Sequence, residues 1–329
     1  MDKIVSTLAT RMFGFGYHAR VQTCEFVRDV SPVTTMFLCA GLGTRLAPLT
    51  EHRPKPLVPL GDRPLLAHLL RRPDGSWRSP ILVNAFHMSD QISEILDSYP
   101  IISQVLHEAV LLGTAGGIRN AKPWLGSEHL LVHNGDILTQ LEEEPLVSAL
   151  GDADLVLAVA PRPVGKGTVG MGEGNTVVRL RGETFGQELW GGDYVGIAAL
   201  GPRCLRTLPE RGCLIGDWAL PELRRGHRIG VTIHRHPWID VGNLEAYHRA
   251  NMQWLNQNLE PGGSYFRAPS ARVSPDVTLS QSIVGQGAEV LGAGPVHRTV
   301  IWPGARATAP LFNAVVVGSG LVVAVEPTQ

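Results

Sequence analysis

The chain has 329 residues, 44% of them hydrophobic and 18% charged, which is enough for two compact domains and too apolar for a mainly disordered chain. Lys and Arg number 29 against 30 Asp and Glu, a formal net charge of -1, which argues against a generally basic nucleic-acid binder and against attachment to an anionic membrane by bulk charge. No apolar run approaches the roughly 20 residues that membrane insertion requires, and Cys24, Cys39, Cys204 and Cys213 form no C-x-x-C pair, so a cytoplasmic location fits best.

Residues 1–32 show no clean period and read as an N-terminal extension of unknown role. Order begins with the apolar run Val33–Ala40, a predicted buried strand that ends in the turn Gly41-Leu42-Gly43-Thr44-Arg45. Ile81–His87 is a second predicted strand, followed by a helix that Ser89 or Asp90 can cap. Leu130–His133 and Leu155–Ala160 are further strands, and Glu142-Glu143-Glu144 reads as a solvated helix start. Strands alternating with helical segments predict an α/β fold with a mostly parallel sheet covered by helices. Asp217–Gly226 reads as a short helix closed by its glycine, with Pro221 in the first turns. Asn243 can cap a helix carrying Leu244, Tyr247, His248, Asn251 and Leu255 on one side.

After Leu259 the texture changes. Glu260–Ser264 is a linker, and Val284, Val290 and Val296 then fall six apart among small residues. That period suggests coils of a short, irregular β-helix over 265–329, following a main domain over 33–259.

The chemistry concentrates in Leu38–Thr50 and Arg53–Leu60. A strand delivers a glycine-rich turn whose backbone N–H groups can approach an anion. Arg45 follows the turn, and Lys55 is presented from a stiff Pro54-Lys55-Pro56 segment. Two cations flanking such a nest can hold a triphosphate without overall basic charge. No G-x-x-x-x-G-K-[ST] is present, and the third glycine of a dinucleotide fingerprint is missing, which argues against an NAD-linked oxidoreductase. His234 and His236 share a strand face but lack further metal-ligating partners.

The run from Gly41 to Thr50 with Pro54-Lys55-Pro56 resembles the signature of the sugar-1-phosphate nucleotidyltransferases, and the appearance is nearest to the mannose-1-phosphate guanylyltransferase branch. The resemblance covers residues 35–258 and extends to the tail. It implies a Rossmann-like core followed by a short left-handed β-helix-like tail, Mg²⁺ dependence and release of pyrophosphate. It places Leu38, Ala40, Gly41, Gly43 and Thr44 at the nucleotide, with Gly113 and Thr114 in the base-recognition loop Gly113–Gly117. Asp136, in Asn134-Gly135-Asp136, and Asp240, in Trp238–Gly242, become the metal aspartates. Arg45 and Lys55 become the catalytic cations, and Gly196, in Asp193–Ile197, a sugar contact. The Glu-Lys-Pro element found in many members is absent between 160 and 192, and Lys166 lies in a different setting, so the grip on the sugar phosphate is left open.

The implied reaction joins a nucleoside triphosphate to a sugar-1-phosphate, with GDP-mannose as the first expectation and uridylyl or thymidylyl transfer as alternatives. A non-catalytic nucleotide-sugar-binding regulator is the competing class. The expected partners are these two substrates, with no nucleic acid, and a second copy of the chain through the tail.

Overall fold

The structure is a computed structural model and describes residues 33–125, 129–140, 142–151 and 153–326, so the expected extension at 1–32 lies outside the described residues. Strands β1 (Thr34–Leu38), β2 (Ile81–Ala85), β3 (Ser103–His107) and β4 (Leu130–Asn134) pair in parallel, in the spatial order β4-β1-β2-β3. β2 is buried throughout and β1 nearly so, as expected of strands covered on both faces.

The sheet has ten strands and is mixed, not mostly parallel. β5 (Ile137–Thr139) leaves it, and β6 (Leu155–Arg162) rejoins it. The chain then runs through the short strands Val169–Gly172, Thr176–Leu180 and Glu183–Thr184 before returning as β7 (Trp190–Leu200). β7 lies antiparallel between β4 and β6, and β8 (Gly230–Ile233) pairs in parallel with β6. A hairpin meander delivers its returning strand against the direction of the strand it left, whereas parallel pairing needs a crossover. Apolar patterning registers burial and says nothing of direction.

Helix α1 (Ser89–Asp97) starts where expected, but neither Ser89 nor Asp90 caps it. Met88 holds the N-cap position with φ 52° and makes no side-chain cap, so Ser89 is already helical. The 217–226 segment is part of a longer helical run. It begins as a wide π turn, Leu214–Ala219, continues as Leu220–Arg224 and is closed by Gly226 at φ 82°. The widened turn accommodates Pro221, which has no N–H to offer. Strand β9 (Trp238–Asp240) precedes the capped helix, here α3 (Leu244–Asn258), after α2 (Gly113–Asn120). Asn243 Oδ1 accepts a hydrogen bond from the Ala246 N–H at 2.8 Å, and Tyr247, His248, Asn251 and Leu255 form the buried face.

Beyond α3 the strands stack in parallel with a 17-residue offset: Arg272 faces Glu289, Ile283 faces Val300, and Glu289 faces Arg306. Two long strands, β10 (Glu289–Ile301) and β11 (Arg306–Val317), carry most of the stack. Val284, Val290 and Val296 are fully buried, so these three positions of the six-residue period point inward. Leu321–Ala324 folds back antiparallel on β11 and covers its edge. The apolar interior of these coils is continuous with Leu46, Leu49, Val58 and Val241 through the buried face of α3. Tyr247 ties the layers: its hydroxyl donates to the Pro59 carbonyl at 2.5 Å and accepts from Trp302 Nε1 at 2.9 Å.

Candidate active site

β1 ends at Leu38, and the chain then turns sharply at Gly43, with φ 65°. A Cβ there would sit 2.9 Å from Thr50 Cγ2 and 3.1 Å from Lys55 Cβ, so only glycine allows the close approach. The Gly43 carbonyl accepts from the Leu46 N–H at 2.8 Å and the Thr50 hydroxyl at 3.1 Å, which holds the turn that carries exposed Arg45. A Cβ at Gly41 would meet no atom within 4 Å, so this side of the turn opens onto free space.

The two acids are far apart in sequence, and a small ribbon brings them together. β5 follows Asp136 directly and pairs antiparallel with β9, setting Asp240 opposite Ile137. The Val241 N–H donates to the Asp136 carbonyl at 3.0 Å and closes the ribbon. Lys55, 8% exposed, reaches Asp136 Oδ2 at 2.5 Å. Burial and the neighbouring Asp136 charge raise the pKa of Asp240, while Lys55 and Arg45 pull it down. Asp136, Lys55 and Arg45 therefore all lie within electrostatic reach of Asp240. Behind the strand, burial drives His133 down to about 4, so its imidazole is neutral and adds no competing charge.

Two carboxylates beside a glycine-lined turn suit a hard ion that takes oxygen ligands. Burial, and then the charge of Asp136, disfavour Asp240 as an anion, and a divalent cation would offset that repulsion. Among the described residues no cluster of three or more His, Cys, Asp or Glu forms a soft-metal or zinc-like set. His234 and His236 lie 5.7 Å apart, but His234 bonds Thr139 and His236 bonds Glu142.

A cavity of about 360 Å³ is lined by Leu38, Ala40, Gly41, Gly113, Thr114 and Asp136 among others, so six of the expected residues share one space. Gly113 opens α2 at φ 74°, where a Cβ would strike the Gly212 carbonyl. The Thr114 hydroxyl accepts from the Leu214 N–H at 2.7 Å, so its first task is to hold the 212–214 segment. Gly43, Thr44, Arg45, Lys55 and Asp240 flank the cavity without lining it. Gly196 also sits beside it rather than in it: at φ 74°, its Cβ position lies 2.7 Å from Asn134 Nδ2. Lys166 is exposed on the turn before Val169.

Asn84 and Glu108 line the same cavity, and sequence reasoning did not select them. Asn84, 3% exposed, accepts from the Cys39 N–H at 2.8 Å and donates to Glu108 Oε1 at 2.7 Å. Glu108 Oε2 accepts from the Leu112 N–H at 3.0 Å. The pair thus braces the start of the cradle against the start of α2. The available signal was a polar Asn near the C-terminal end of an apolar parallel strand, where ligand sites form. Glu143 also differs from expectation, because it pairs with Arg72 and buried Arg78 rather than facing solvent.

Residues 34–170 match the protein family described as Nucleotidyl transferase. The chain is 29% identical over 229 residues to the bifunctional protein GlmU of Methanococcus maripaludis strain C5, covering 68% of this chain and 54% of that protein. It therefore spans about half the length of that relative. It is 27% identical over 298 residues to the mannose-1-phosphate guanylyltransferase of Mycobacterium tuberculosis, covering 84% and 82% respectively. The crystal structure of HddC from Yersinia pseudotuberculosis complexed with GMP-PN has the same fold over 67% of this chain and 99% of its own, with TM-score 0.55 and 22% identity. Residues 34–170 thus match a nucleotidyl transferase domain, and the chain is similar to sugar-1-phosphate nucleotidyltransferases over a longer stretch.

Proposed function

We propose that the protein transfers a nucleotidyl group from a nucleoside triphosphate to a sugar-1-phosphate, giving a nucleotide-sugar and pyrophosphate. The observation that carries this reading is the convergence of Asp136, Asp240, Lys55 and Arg45 beside a glycine-lined cavity. Asp136 and Asp240 would hold Mg²⁺, which supplies charge neutralisation at the α-phosphate when bound. The backbone from Gly41 to Gly43, with Arg45, receives the outer phosphates and offsets charge on the departing pyrophosphate. Lys55 steadies Asp136 and faces the transferring group. The acceptor phosphate is already an anionic nucleophile, so the chain needs no covalent nucleophile and works by positioning and electrostatics. These intact groups also favour an enzyme over a non-catalytic regulator. A panel of nucleoside triphosphates against sugar-1-phosphates with Mg²⁺, read by pyrophosphate release, tests the reading; nucleotide binding with no release from any pair would sink it.

Guanine is the favoured base and GDP-mannose the favoured product. The Mycobacterium tuberculosis match runs over most of both chains. Glu108 adds a chemical argument: guanine offers two adjacent donors, N1–H and N2–H, that a carboxylate can accept together. Uracil offers one donor between two carbonyls that a carboxylate repels, so uridylyl or thymidylyl transfer is the second reading. Glu108→Gln is expected to lower kcat/KM for GTP about 10- to 100-fold while sparing UTP. An unchanged ratio of GTP to UTP turnover would remove Glu108 from base selection.

We read residues 33–259 as the nucleotidyltransferase domain and 265–329 as a left-handed β-helix tail that joins copies of the chain, the 17-residue offset supporting the coil geometry. Among the described residues no helix is long and apolar enough to cross a membrane. A cytoplasmic site fits substrates of this kind.

A further inference from the structure

We infer that Arg181 is the cation that receives the 1-phosphate of the acceptor, an inference that rests on the proposed reaction. Leu180 and Glu183 pair antiparallel and close a two-residue turn, Arg181-Gly182, with φ values of 49° and 85°. Such mirror-image turns favour Asn-Gly or Gly-Gly, because a side chain at the first position crowds its own backbone. Arginine is a poor choice for the turn, so its presence calls for a reason in the guanidinium.

Arg181 is exposed, and its guanidinium lies along the 213–216 segment. Nη2 lies 3.5 Å from Cys213 Sγ, and a Cβ at Gly216 would come within 3.4 Å of Cζ, so the glycine leaves it room. Cys213 adjoins Leu214, which is fastened to Thr114 at the nucleotide cavity. Leu180, next to Arg181, pairs with Val169, and Val169 pairs with Gly192 of β7, the strand that carries Gly196. Arg181 is therefore linked through Cys213 and Leu214 to the base loop and lies one strand away from β7, the strand expected to meet the sugar.

Among the described residues it enters no ion pair, and its bond is to a thiol. Arg179, two residues earlier, contrasts with it: its guanidinium is spent on Glu188 and on the carbonyls of Lys166 and Gly167. A cation held by an unfavourable turn, unneutralised and one strand from β7, suits a phosphate dianion.

Arg181→Asn creates the favoured Asn-Gly turn, so the thermal midpoint is expected to hold or rise. With mannose-1-phosphate and glucose-1-phosphate as acceptors, KM is expected to rise about 10- to 100-fold while KM for the triphosphate stays within about twofold. Methyl phosphate is expected to compete with the acceptor in the parent and to lose that competition in the variant. Arg181→Lys should recover part of the loss. A stable, active Arg181→Asn enzyme with unchanged acceptor KM and unchanged methyl phosphate inhibition overturns the inference and leaves the reaction standing. Failure of the reaction itself would show separately, as a parent protein that releases no pyrophosphate from any substrate pair.

Discussion

Asp136→Asn is expected to lower kcat/KM for nucleotidyl transfer by about three orders of magnitude. The substitution keeps shape and removes one charge. On the proposed reading it would weaken the metal pair, because the remaining carboxylate, Asp240, is the more exposed and sits at the end of a short ribbon. It also replaces the anionic partner of Lys55, 2.5 Å away, with a neutral amide while leaving the amine almost buried, a loss of about 1–3 kcal/mol in stability. The two effects separate experimentally. Initial rates of pyrophosphate release at saturating Mg²⁺ report the catalytic loss, and a denaturant midpoint reports the stability change. Asp240→Asn should act in the same direction on rate and should cost little stability, because its carboxyl is already disfavoured as an anion by burial and by Asp136. Near-normal turnover in the Asp136 variant would remove that residue from the metal site.

The cradle was legible in the sequence because its demands are local. Gly43 must be glycine for its φ, Lys55 is stiffened by its own neighbours, and Asn243 caps the helix that follows it. Val284, Val290 and Val296 fall six apart and are all fully buried, though Thr278 in the same phase is exposed. What stayed hidden depends on partners distant in sequence. Nothing in Trp190–Leu200 tells that it runs against both neighbours, since a buried strand reads alike in either direction. Glu108 looks like any charged residue until Asn84 and the Leu112 N–H are found on its two oxygens. Glu143 looked solvated because Arg78 lies on another element. The ribbon that joins Asp136 to Asp240 pairs segments with too few residues to leave a pattern.

The same long-range dependence makes Tyr247 the most consequential core residue for stability. It is fully buried on α3, shares an apolar cluster with Leu46 and Leu49, and bonds both the Pro59 carbonyl and Trp302 Nε1. Tyr247→Ala is expected to cost about 3–5 kcal/mol, since the cavity would open where three elements meet and none can collapse into it alone. For a chain of this size that corresponds to a fall in thermal midpoint of about 10 °C. Tyr247→Phe keeps the ring and removes the hydroxyl, leaving the buried Trp302 N–H without its acceptor, at a cost of about 1–3 kcal/mol. Because Leu46 and Leu49 belong to the same apolar cluster and flank Arg45 and Thr50, the Ala variant should also weaken nucleotide binding below its melting temperature. Calorimetric affinity for a non-hydrolysable triphosphate, measured well below the midpoint, reads that linkage. An Ala variant that melts within about 2 °C of the parent, against the expectation for a filled core site, would show that the coils and the cradle are held together by something other than this residue.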